Sequence, residues 1–94
     1  MAQARWHGAI IAEDPDTVMV EGNHYFSPES IRDGVLQPSE HTSYCGWKGT
    51  ARYFHVVVEG QRLENAAWVY PEPLEKAAHI KDRLAFWKGV EVTG

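Results

Sequence analysis

The stretch Thr50–Val58, followed at once by Glu59-Gly60 and then by Gln61–Glu64, limits the fold of this chain more than any other feature. Its residues, Thr-Ala-Arg-Tyr-Phe-His-Val-Val-Val, are dense in β-branched and aromatic side chains. Tyr53 and Val57 fall on one side and Phe54, Val56 and Val58 on the other, which is the two-residue period of a pleated strand. The Glu-Gly pair turns the chain back into a shorter strand, so a hairpin is expected here.

The same grammar recurs elsewhere. Residues 4–12 read as a first strand, and Asp14-Pro15-Asp16 is a turn in which proline presets φ and aspartate bonds its own backbone. Thr17–Glu21 is a β-branched run, and Glu21-Gly22-Asn23 is a hairpin turn into His24–Phe26. Ser27-Pro28 offers a capping serine with proline at the first helical position, which predicts a short helical turn through Arg32. Asp33–His41, carrying Gly34, Pro38 and Ser39, reads as loop. Ala66–Tyr70 reads as a further strand, ended by Pro71-Glu72-Pro73.

One helix is expected, from about Pro73 to Trp87. Leu74, Ala77, Ile80, Leu84 and Trp87 recur at three- and four-residue steps and form one apolar stripe. Glu72 and Glu75 at its start and Lys88 at its end suit the helix dipole, and Gly89 stops it. Val90–Val92 returns as an edge strand. The fold class expected is mainly β (α+β), with one C-terminal amphipathic helix.

Composition sets the outer bounds. A chain of 94 residues has room for one domain, 1–94, with one modest core, and 44% hydrophobic residues suffice to pack it. A net charge of −4 argues against a nucleic-acid partner, because phosphate contacts need a dense basic surface. No apolar run has the length of a signal peptide or of a membrane span. A single cysteine forms no internal disulfide, so a reducing cytoplasm is the expected compartment. The histidines at 7, 24, 41, 55 and 79 lack metal-ligand spacing, and no metal or cofactor is expected.

The candidate site is the turn at Cys45-Gly46-Trp47-Lys48-Gly49. It joins a thiol, an ammonium and glycine N–H groups within five residues. No acidic side chain stands between Glu40 and Glu59, an interval that holds His41, Lys48, Arg52 and His55, so an anion can be attracted there. Two readings stand for each residue. Cys45 is a nucleophile or redox thiol tuned by Lys48 or a histidine, or a small apolar filler. Lys48 with Gly49 grips an anion, or is a solvated side chain in a tight turn. Trp47, Tyr53, Trp68 and Tyr70, with Tyr25, line a pocket for a ring-bearing ligand, or are core. Glu21 is the best carboxylate for a base, or the solvent-facing end of a hairpin.

Three ordered motifs carry a resemblance: Val20–Phe26, Cys45–Ala51 and Asn65–Pro73, with Ile80-Lys81-Asp82 and Ala85-Phe86-Trp87 closing the series. Together they resemble the small bacterial family called domain of unknown function 427, also filed under a nucleotidyltransferase-like name, over essentially the whole chain. The resemblance implies a β-tent, two antiparallel sheets leaning together with a flanking helix. The family usually has proline after the cysteine, where this chain has Gly46. Three functional classes follow: a binding domain for a small polar or anionic molecule at the Cys45–Gly49 turn, an enzyme using Cys45, or an interaction module that dimerises through an edge strand.

Overall fold

A computed structural model describes residues 1–94, and it is mainly β. Nine strands follow in order: β1 (Ala2–Trp6), β2 (Ala9–Asp14), β3 (Val18–Val20), β4 (Asn23–Tyr25), β5 (Leu36–Cys45), β6 (Gly49–Val58), β7 (Gln61–Val69), β8 (Leu84–Phe86) and β9 (Glu91–Thr93). They form three antiparallel sheets, β2-β1-β9, the hairpin β3-β4, and β5-β6-β7-β8. No helix is long and apolar enough to cross a membrane.

Local turn chemistry explains three of the hairpins. His7-Gly8, Glu21-Gly22 and Glu59-Gly60 each place two successive residues at positive φ, the geometry whose twist matches that of the strands it joins. The Glu21 and Glu59 turns fall where the sequence puts them. The His7 turn does not, and it divides the expected strand 4–12 into β1 and β2. His-Gly is a weak turn signal, and here a non-glycine residue takes the left-handed conformation at φ 51°.

Three further expectations are corrected. Leu36–Cys45 is a strand rather than a loop up to His41. It lies at the edge of its sheet, and its ladder to β6 is interrupted between Pro38 and Thr42, which accommodates a residue without an N–H. Gln61–Val69 is one strand, not two, with a register break opposite Asn65, whose φ is 54°.

The third correction is the C-terminal amphipathic helix, which does not form. Residues Glu75–Ile80 make a 3-10 turn broken at Ala77, Asp82 is left-handed, and Leu84–Phe86 is strand β8. Ala77, Ile80, Leu84, Ala85 and Phe86 are all buried, so the residues behind the helical stripe belong to two different elements. Pairing with the free edge of β7 satisfies the β8 backbone while its side chains fill core on both faces.

The four-stranded sheet is the centre of the molecule because both its faces carry core. On one face Val56, Val58, Ala67, Val69, Leu84 and Phe86 pack against Ala2, Ala4, Ile11, Ala12 and Val90. On the other, Ala51 and Ala85, with Tyr53 and Trp68 beside them, meet Val20, Tyr25, Tyr70, Ala77 and Ile80. Hairpin β3-β4 joins the edge of β8, where Phe26 and Leu84 exchange backbone hydrogen bonds of 2.7 and 2.8 Å. Phe26 itself is fully buried and meets Phe86 edge-to-face at 5.5 Å between centroids, a contact worth about 0.5–1.5 kcal/mol beyond area burial. The hairpin and the 3-10 turn roof only part of the second face. Tyr53 and Trp68 stand on the remainder.

Candidate functional site

The turn between β5 and β6 is closed by the Cys45–Gly49 pair, and residues 46–48 bridge it. Gly49 has φ +108°, and a Cβ there would sit 3.4 Å from the Glu72 carbonyl oxygen and 3.4 Å from the Leu74 nitrogen. The left-handed φ is what favours glycine here, since those distances are ordinary contacts, and the segment after β7 lies across the turn, where Leu74 N–H donates to the Lys48 carbonyl at 2.9 Å. Gly46 differs: its φ is not left-handed and a Cβ would meet nothing within 4 Å.

This clamp turns Lys48 inward. The residue is only 8% exposed, and its ammonium lies 5.4 Å from the Trp47 ring centroid and 5.6 Å from that of Tyr70. It donates to the Glu21 carboxylate, which reaches it from the tip of hairpin β3-β4. A buried ammonium needs such a counter-charge, and the two flanking rings add cation–π attraction.

Around this pair lie the other residues the sequence singled out. Tyr25 is fully buried and its hydroxyl accepts a 3.1 Å hydrogen bond from Trp68 Nε1. Cys45 is half-buried and packs against the cluster of Tyr25, Ala51 and Tyr70. Lys48, Tyr53, Trp68, Tyr70 and Trp87 line a hollow of about 180 Å³. An apolar cavity of roughly 150 Å³ holds a benzene ring, so the space suits a single ring. Trp68 and Trp87 meet edge-to-face at 5.8 Å, and Tyr53 lies 6.5 Å from Trp87.

Trp87 is the member that sequence reasoning does not place here, because its spacing puts it on the expected helical stripe. Its indole N–H donates to the Asn65 carbonyl at 2.6 Å, and its backbone N–H to Ala66 at 2.9 Å. The left-handed Asn65 opposite the β6 register break therefore aims the indole over the sheet. Only an Asn in a β-run, a residue that tolerates positive φ, hinted at this.

The histidines offered to Cys45 are engaged elsewhere. His24 Nδ1 bonds the Thr17 hydroxyl at 2.7 Å, His55 Nδ1 accepts the Asn65 N–H at 3.0 Å, and the His41 ring packs on Tyr53 at 4.6 Å.

Electrostatics fix the protonation states. The hydrogen bond from Lys48 holds the Glu21 carboxyl below its ordinary range, against a smaller opposing effect of desolvation. Burial works to lower Lys48, but Glu21 and the nearby oxygens of Tyr25 and Tyr70 outweigh it and hold the ammonium above its ordinary value. Burial pushes the phenols of Tyr25 and Tyr70 up, although Lys48 pulls both the other way and Trp68 also does so for Tyr25. At neutral pH the cluster therefore holds an ammonium, two neutral phenols and one carboxylate already bound. The one carboxylate of the cluster is thus already paired with its ammonium.

A family model described as domain of unknown function (DUF427) matches residues 1–93. No curated protein matches the chain.

Proposed function

The chain belongs to the domain of unknown function (DUF427) family, and from that kinship, which specifies no reaction, we propose that it is a binding module for a small, single-ring molecule. The observation that carries this reading is the ring-sized hollow walled by Tyr53, Trp68, Tyr70 and Trp87 with Lys48 among its lining residues. Trp87 is 45% exposed, a cost that an indole held in place by its N–H bond to Asn65 recovers when a ring stacks on it. Lys48 and the aromatic hydroxyls supply the few polar groups that orient a ligand in an apolar site. Cys45 serves as packing beneath this wall, and Tyr25 acts through Trp68 rather than by touching the ligand.

The test is a titration of ¹⁵N-labelled protein with benzenesulfonamide, a neutral single-ring probe, following the indole N–H signals of Trp68 and Trp87. Both signals are expected to shift in a saturable manner, with Trp87→Ala weakening binding about tenfold, the scale of one stacking interaction. Shifts that stay unsaturated, or that persist unchanged in Trp87→Ala, would overturn the reading.

A further inference from the structure

Resting on that reading, we propose that Glu21 is an internal stand-in for the charged group of the ligand. The ligand class is an aromatic ring bearing one carboxylate, sulfonate or phosphate group. It binds by exchange, its anion taking the place of the Glu21 carboxylate on Lys48.

Three observations converge on this. Lys48 is the one buried lysine or arginine of the chain, and it belongs both to the hollow and to the ion pair with Glu21. A charge so placed must keep a partner, because an ammonium removed from water without one is strongly unfavourable. The anion position at its end is thus built into the fold whether or not a ligand is present.

The group now filling that position comes from a surface turn and not from the core. Glu21 stands at the tip of a two-residue turn, in the left-handed conformation, with its side chain 52% exposed. Half of its side chain is open to solvent, so a rotation of the side chain frees the carboxylate from Lys48 into water with no movement of a strand. The asymmetry is the essential point: the cation is fixed and shielded, whereas its anion hangs from an exposed turn.

Charge counting then selects exchange over addition. An anionic ligand arriving with Glu21 in place would set two negative groups on one ammonium, and like charges in contact oppose binding. Exchange keeps one anion per cation throughout. The aromatic wall supplies an attraction that chloride or acetate cannot use, since Tyr53, Trp68, Tyr70 and Trp87 offer ring faces on which a ring can stack.

The experiment compares two probes of the same shape, benzenesulfonate and neutral benzenesulfonamide, on the wild-type chain and on Glu21→Gln and Glu21→Asn. Asn-Gly is the preferred pair for this turn, so the second variant keeps the hairpin if the first loosens it. Both variants are expected to bind benzenesulfonate roughly tenfold more tightly than wild type, the effect of freeing one charge-assisted hydrogen bond. Their affinity for the sulfonamide is expected to stay within about twofold of wild type. If the sulfonamide binds but neither variant favours the sulfonate, or both probes gain alike, exchange is wrong and the ring-binding reading stands. If the sulfonamide fails to bind wild type as well, both fall together.

Discussion

Trp68 Nε1 donates to the Tyr25 hydroxyl at 3.1 Å across 43 positions of sequence, and the two rings meet edge-to-face at 6.3 Å. This one contact ties the roofing hairpin to the sheet it covers and sets the tilt of the indole in the hollow. Tyr25→Phe keeps the ring and removes the acceptor. It should cost about 1 kcal/mol, which for a chain of this size lowers Tm by roughly 4–8 °C. Thermal unfolding followed by circular dichroism measures the shift, and a Tm within a degree of wild type would mean that the hydrogen bond does not anchor the roof.

The Glu21–Lys48 pair makes a two-sided prediction in pH. Glu21 has a folded value below its ordinary 4.5, so its stabilisation is present above that pH and is lost as pH falls through the lowered value. Lys48 has a folded value above its ordinary 10.5, so its share is present below that pH and is lost as pH rises through the raised value. The gap in urea midpoint between wild type and Glu21→Gln should therefore be flat between those limits and shrink at both ends. Acid loss will not vanish altogether in the variant. Asp14, lowered on balance by Ser27, Asp16 and Arg83 despite the opposing effect of its burial, contributes its own.

The two glycines of the β5–β6 turn should respond oppositely to alanine. At Gly46 the backbone is ordinary and the space is open, so Gly46→Ala should stabilise by about 0.4–1 kcal/mol by restricting the unfolded chain. Gly49→Ala forces a side chain into φ +108° and should cost roughly 1–3 kcal/mol. Denaturant midpoints of the two variants decide it. Equal effects would mean that the left-handed backbone at Gly49 is not what the turn requires.

Cys45→Ser is expected to leave the affinity for benzenesulfonamide within about twofold of wild type, because Cys45 packs against the buried cluster that includes Tyr25 and Tyr70 and does not line the hollow. Titration of the indole signals measures this directly. Loss of binding in the serine variant would move the centre of the site to the thiol.

Much of this site was legible in the sequence, and the reasons are local. Glu21-Gly22 and Glu59-Gly60 declare their hairpins because a two-residue turn is specified by its own residues. The Cys45–Gly49 turn stands out because two glycines flank a lysine in a β-rich context. What stayed hidden depends on partners far along the chain. Leu74, Ala77, Ile80, Leu84 and Trp87 fit a helical period, yet the open edge of β7 made a strand of Leu84–Phe86. Nothing near Trp87 shows that the Asn65 carbonyl will turn its indole toward Trp68. Likewise Pro38 marks a loop by local rules, while an edge position with an interrupted ladder tolerates it.

Strand β1 pairs with β9 through Gln3–Thr93, Ala4–Val92 and Arg5–Glu91. The tight hairpins can zip as soon as their own residues exist, but this ladder must close a loop spanning nearly the whole chain. Of all the ladders in the fold it has the widest sequence separation, and with it the largest loop-closure cost. Until it forms, β1 lacks one of its two neighbours and Val90 and Val92 have not yet reached the core that they cover. The β9 ladder is thus the seam that closes the core behind the sheet bearing the hollow, and losing it opens the back of the molecule while the hollow lies on the other face.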